Sequence, residues 1–127
     1  MPATVGSMLL SSTNPQRLRD FYAQALDVKP EQTPDGGYDL FNLGGFYVLI
    51  DTRDDIGDRN PEPGRLIVNI DVDDARATAD RLEAAGATWL APLEDRDGNF
   101  FATAIDPDGN YLQIIQLSAA ARAEMEG

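Results

Sequence analysis

The chain contains no cysteine and no histidine. The first absence removes disulfides, thiolate nucleophiles and zinc–cysteine sites. The second removes the commonest transition-metal ligand and the commonest general base near neutral pH, so serine–histidine triads and two-histidine metal sites are excluded. No apolar run approaches the roughly 20 residues that a membrane span needs, and no basic segment followed by an apolar stretch and a cleavage site marks export. A water-soluble, cytoplasmic chain with no membrane partner is expected. Positive charge is scarce: 10 Lys and Arg stand against 22 Asp and Glu, a formal net charge of -12. Binding to a phosphate backbone is driven by lysine and arginine displacing counterions, so nucleic acid is not an expected partner. An acidic surface attracts cationic ligands, or simply keeps the protein in solution. Trp89 is the single tryptophan.

What remains is a chain of 127 residues, long enough for one domain with a core that needs no staple. The apolar run Val5 to Ser11 leads into Asn14-Pro15, which reads as N-cap and first helical position. Leu18, Phe21, Tyr22, Ala25 and Leu26 then recur at helical spacing. Asp35-Gly36-Gly37 and Gly44-Gly45 bracket Tyr38 to Leu43, with Phe46 to Asp51 beyond, so two or three antiparallel strands are expected there. The polar, aperiodic TRDDIGDRNPEPG, residues 52–64, reads as a loop.

From Arg65 the order repeats. Leu66 to Val72 is a strand, Asp73-Asp74 caps a helix over Ala75 to Ala85, and Gly86 ends it. Thr88-Trp89-Leu90, a turn at Asp97-Gly98-Asn99, the run Phe100 to Ile105, a turn in DPDGN and the run Tyr111 to Leu117 follow. Tyr47-Val48-Leu49-Ile50 lies over Tyr111-Leu112-Gln113-Ile114, so Leu49 corresponds to Gln113. The chain is therefore a tandem duplication, with one module over about 4-52, a linker over 53-64, a second module over about 65-117 and a tail over 118-127. The acidic positions in the linker and turns miss the spacing of a calcium loop. The alanine-rich tail has helical composition and is a possible contact for another protein.

This strand–helix–three-strand duplication, the helix NPQRLRDFYAQAL and the closing IDPDGN resemble the vicinal oxygen chelate superfamily, which includes glyoxalase I, extradiol dioxygenases and bleomycin resistance proteins. The resemblance covers nearly the whole chain. It implies an α+β fold of two βαβββ modules whose mixed sheets curl around a cleft, and a homodimer. In metal-dependent members four cleft positions carry histidine or glutamate ligands. By the resemblance these fall on Ser7, Leu49, Ile67 and Gln113, with a slip at Leu49 putting Tyr47 or Asp51 inward instead. Two aliphatic side chains among four cannot hold a catalytic divalent ion, so no metal and no other cofactor is expected, and the resemblance points to the metal-free, bleomycin resistance-like branch.

Alternation at period two places Tyr111, Gln113 and Ile115 on one face, and likewise Ser7 with Leu9 and Ile67 with Asn69. Tyr47, Trp89, Phe100 and Phe101 are candidates to stack on a planar ligand, although core packing or a dimer contact is the commoner role for any one of them. The candidate ligand-binding set is Ser7, Leu9, Tyr47, Leu49, Ile67, Asn69, Trp89, Phe101, Tyr111 and Gln113, with Asp51, Arg65 and Asp71 as the nearest charges. Gln113 either anchors a ligand or bonds backbone and water. The expected function is binding of a small aromatic or cationic compound. The alternatives are a divergent glyoxalase-like lyase, isomerase or dioxygenase, and a non-catalytic interaction module.

Overall fold

The computed structural model describes residues 2–126, which group into two compact units, one ending at Asp58 and the other beginning at Arg59. The first contains β1 (Ser7–Ser11), α1 (Pro15–Leu26), β2 (Glu31–Gln32), β3 (Asp39–Leu43) and β4 (Phe46–Asp51). The second contains β5 (Val68–Asp71), α2 (Ala75–Ala84), β6 (Thr88–Arg96), β7 (Asn99–Ile105), β8 (Tyr111–Gln116) and the tail helix α3 (Ala119–Glu126). Each unit is a βαβββ module with a mixed sheet, ordered β1-β4-β3-β2 and β5-β8-β7-β6. In both, the strand before the helix pairs in parallel with the last strand and the other pairs are antiparallel. The α+β duplication expected from the sequence is the observed architecture.

Local chemistry explains the helix ends. The Asn14 side chain accepts from the Arg17 amide at 3.2 Å, and Pro15 needs no intrahelical partner at the first position. Asp74 accepts from the Ala77 amide at 3.0 Å, and Gln116 at the end of β8 accepts from the Ala75 amide at 2.8 Å, so a strand residue helps to cap α2. Spacing of three and four turns Leu18, Phe21, Tyr22 and Ala25 to one side of α1, all buried. They cover a sheet face carrying Phe41, Val48 and Ile50, and the Phe21 and Tyr22 rings meet edge to face at 5.0 Å. In the second module Ala75, Thr78, Ala79 and Leu82 of α2 are buried with Ala102, Ala104, Leu112 and Ile114 of the sheet. Alanines on both sides let the helix approach its sheet closely.

Turns set which residues pair. Gly44 and Gly45 at φ +68° and +95° form the two-residue turn with left-handed backbone that matches strand twist, and Asp97-Gly98 does the same between β6 and β7. In DPDGN the Asp106 carboxylate accepts from the amides of Asp108 and Asn110 at 2.8 and 3.0 Å and from Asn110 Nδ2 at 3.0 Å.

Two strands differ from expectation. β5 starts at Val68, because the 3₁₀ turn Pro63–Arg65 leaves Leu66 and Ile67 ahead of the ladder, 78% and 38% exposed. β6 continues past Leu90 to Arg96: Pro92 is tolerated on an edge strand, and two register shifts absorb the irregularity.

Candidate functional site

Each sheet has one face on its helix and one face open. In the first sheet the helix side takes Met8, Phe41, Val48 and Ile50, so the open face carries Ser7, Leu9 and Ser11 of β1 and Tyr47, Leu49 and Asp51 of β4. In the second sheet Leu112 and Ile114 are fully buried on the helix side, leaving Tyr111, Gln113 and Ile115 half-buried on the other, with Asn69 and Asp71 of β5 beside them. Gln113 therefore faces away from α2.

Register shows what surrounds each position. Leu49 is flanked by Leu9 on β1 and Leu40 on β3. Its counterpart Gln113 is flanked by Asn69 on β5 and Thr103 on β7. The same three sites are thus three leucines in one module and an amide, an amide and a hydroxyl in the other. Thr103 is only 8% exposed although it lies on the open face. Among the described residues no hydrogen bond engages the side chains of Asn69, Gln113 or Thr103. Thr103, Leu40 and Asn42, the partner of Tyr47, escape the sequence reading. Alternation within FFATAI already divides its residues by parity, but only the β7–β8 pairing puts Thr103 beside Gln113.

Within the second module the sequence-derived candidates fall on different faces. Ser7 pairs with Tyr47 and Leu9 with Leu49 on the first open face; Asn69 pairs with Gln113 on the second, which also carries Tyr111. Ile67 stands one residue ahead of β5, so Asn69, and not Ile67, is the neighbour of Gln113. Trp89 lies opposite Ala104, which is opposite Leu112, and this places it on the helix side. Its indole N–H donates to Glu83 of α2 at 2.8 Å, so it does not share a face with Gln113. Phe101 is on the open face next to Ile115 and Glu94, but the Arg96 guanidinium covers its ring at 5.2 Å. Arg65 lies in the 3₁₀ turn, paired with Glu62 at 3.3 Å.

The charges on these faces are largely engaged. Arg96 Nη2 donates to Glu94 Oε2 at 3.0 Å, and this hydrogen bond, reinforced by the cation's field, holds the Glu94 carboxyl below its ordinary value. Ser11 donates to Asp51 at 2.6 Å. Beyond Asp51, residues 51–55 line an open hollow of about 520 Å³. Its cation, Arg53, forms a two-pronged bond to Asp55 at 2.7 and 2.8 Å, which lowers the Asp55 pKa.

The metal that the resemblance implies does not fit this donor set. The four positions to which the resemblance assigns ligands hold a hydroxyl, two aliphatic side chains and a neutral amide: Ser7, Leu49, Ile67 and Gln113. Tyr47 and Asp51 share the face of Leu49, so a slip along β4 adds at most one carboxylate, and that one is bonded to Ser11. Among the described residues no three acidic side chains converge. Such a set cannot orient a catalytic divalent ion.

A family model described as a glyoxalase-like domain matches residues 7–115. No curated protein matches the chain. Among solved structures, a glyoxalase/bleomycin resistance protein/dioxygenase family enzyme from Burkholderia phytofirmans PsJN superposes with a TM-score of 0.72 at 16% identity, covering 91% of this chain and 100% of its own. A glyoxalase-related enzyme from Fulvimarina pelagi gives 0.71 at 20% identity, covering 90% and 88%. TioX from Micromonospora sp. ML1 gives 0.69 at 20% identity, covering 90% and 98%. At these identities the structures establish a shared fold.

Proposed function

The chain belongs to the glyoxalase-like domain family of the vicinal oxygen chelate superfamily, and on that premise we propose that it binds a small aromatic compound on an open sheet face without a metal and without converting it, as in the bleomycin resistance-like branch. The observation that supports this is the chemistry of the side chains: Ser7, Leu49 and Gln113 on the open faces, and Ile67 just ahead of β5, are suited to contact and hydrogen bonding, not to coordination. Apolar surface with a few neutral polar groups is the usual composition of a small-molecule site. The acidic surface favours encounter with cationic members of such a set. Leu9 and Tyr47, 48% and 40% exposed on the first open face, also support a homodimer in which a second copy adds cover.

The test is a titration of the isotope-labelled protein with neutral and cationic aromatic compounds, read by amide chemical shifts. Saturable shifts at Leu9, Tyr47, Leu49, Tyr111 or Gln113, with every compound recovered unchanged, are expected. Turnover of a bound compound, or a stoichiometric transition metal that survives chelator washing and is needed for binding, would overturn the proposal. Light scattering decides the dimer separately.

A further inference from the structure

Equivalent rows of the two open faces differ in chemistry, three leucines in one module against two amides and a hydroxyl in the other. We propose that Asn69, Gln113 and Thr103 form the specificity element of the binding face, selecting an uncharged planar edge that presents a hydrogen-bond donor beside an acceptor: a primary carboxamide, lactam or imide. This rests on the small-molecule reading above and narrows it.

The three side chains lie side by side on β5, β8 and β7, on strands about 4.8 Å apart. Each amide offers donors and an acceptor, and the hydroxyl offers one donor and two lone pairs. Neutral partners with both functions satisfy this row; partners with one function leave part of it unpaired. The equivalent row of the first module, Leu9, Leu49 and Leu40, shows that the fold does not require polar groups here.

Charge narrows the ligand further. The cation that register brings to this face, Arg96, is held by Glu94 and lies over Phe101. Asp71, two residues along β5 from Asn69, repels an anion. A carboxylate would therefore meet neutral donors with no counter-charge and one nearby like charge. An ammonium or amidinium would find acceptors but leave the amide N–H groups of Asn69 and Gln113 facing its own donors, which costs binding. The carboxamide edge matches donors to acceptors in both directions.

Four probes of one size separate these cases: benzamide, benzoate, benzamidinium and acetophenone, titrated against the labelled full chain and followed at the side-chain NH₂ resonances of Asn69 and Gln113. One to two additional neutral hydrogen bonds make benzamide about tenfold tighter than the other three, equivalent to about 1.4 kcal/mol. Gln113→Leu, which copies Leu49, is expected to remove that preference while acetophenone still binds. Gln113→Glu, which keeps the shape, is expected to pass the preference to benzamidinium. Equal affinities for all four probes, tightest binding of benzoate, or a benzamide preference unchanged in Gln113→Leu would each overturn the specificity element while leaving small-molecule binding intact. If no probe and no aromatic compound of the wider panel shifts any open-face resonance, the binding proposal falls and this one with it.

Discussion

Removing the Asp106 carboxylate tests whether the DPDGN turn holds the strand that carries Gln113. In the native turn this side chain, 3% exposed, accepts from two backbone amides and from the Asn110 side chain. Hydrogen bonds to a charged acceptor contribute about 1.5–3 kcal/mol each when removed singly. Bonds sharing one carboxylate are not additive, so Asp106→Ala is expected to cost about 3 kcal/mol in total. For a domain of this size that corresponds to a melting-temperature drop on the order of 12 °C. Urea unfolding followed by far-ultraviolet circular dichroism gives the first number, and calorimetry the second. The turn also sets how β7 meets β8, so amide exchange from Leu112 to Ile115 should accelerate along with the loss of stability. Asp106→Asn keeps one carbonyl acceptor and should fall between parent and alanine variant. A loss below about 0.5 kcal/mol for Asp106→Ala, within the range of ordinary surface substitutions, would show that the β7–β8 register is held by strand packing and not by this turn.

Leu82→Ala empties a fully buried position between α2 and its sheet and is expected to lower unfolding free energy by about 2–5 kcal/mol in denaturant titration. Gly45→Ala forces a side chain onto φ +95°; the local penalty is about 1–2 kcal/mol, read as a shift in the urea midpoint. Ligand binding on the second open face should leave Trp89 emission unchanged, since its indole is bonded to Glu83 on the helix side of that sheet; a ligand-dependent shift would contradict the assigned side. The Glu94 carboxyl should titrate below the ordinary glutamate value of 4.5, because Arg96 bonds its charged form. A lowered folded-state pKa means that the pair's contribution is present above the unfolded value and disappears as pH falls through the folded one. Carboxyl-carbon chemical shifts measure this, and Arg96→Ala should restore the ordinary midpoint.

Much of the molecule is legible in the residues because it is local. Asn14-Pro15 and Asp74 start helices through bonds made within three positions. Gly-Gly and Asp-Gly supply the left-handed backbone that two-residue turns demand. The Leu18, Phe21, Tyr22 and Ala25 stripe and the alternation in YLQII assign buried faces without reference to any neighbour. The duplication follows from the repetition of these local signals. The lack of imidazole and thiolate ligands is likewise a property of composition, since no arrangement of a chain without histidine or cysteine supplies them.

What stands beside Gln113 is another matter. Asn69 lies far back in the chain and Thr103 on another strand, and a shift of one residue in either pairing would present the opposite face. That choice is made by hydrogen bonding across strands and by the turns that feed them. Trp89 shows the same dependence: on an edge strand interrupted by two register shifts, alternation has no fixed origin, and only its ladder partner Ala104 assigns it to the helix side. Sequence alone determined the modules, their helices and caps, and the lack of histidine and cysteine ligands, because short-range sterics and composition decide those. Only tertiary pairing decided that one open face carries a row of leucines and the other a row of neutral hydrogen-bonding groups, because the neighbours in a sheet are set by bonds between strands remote in the chain.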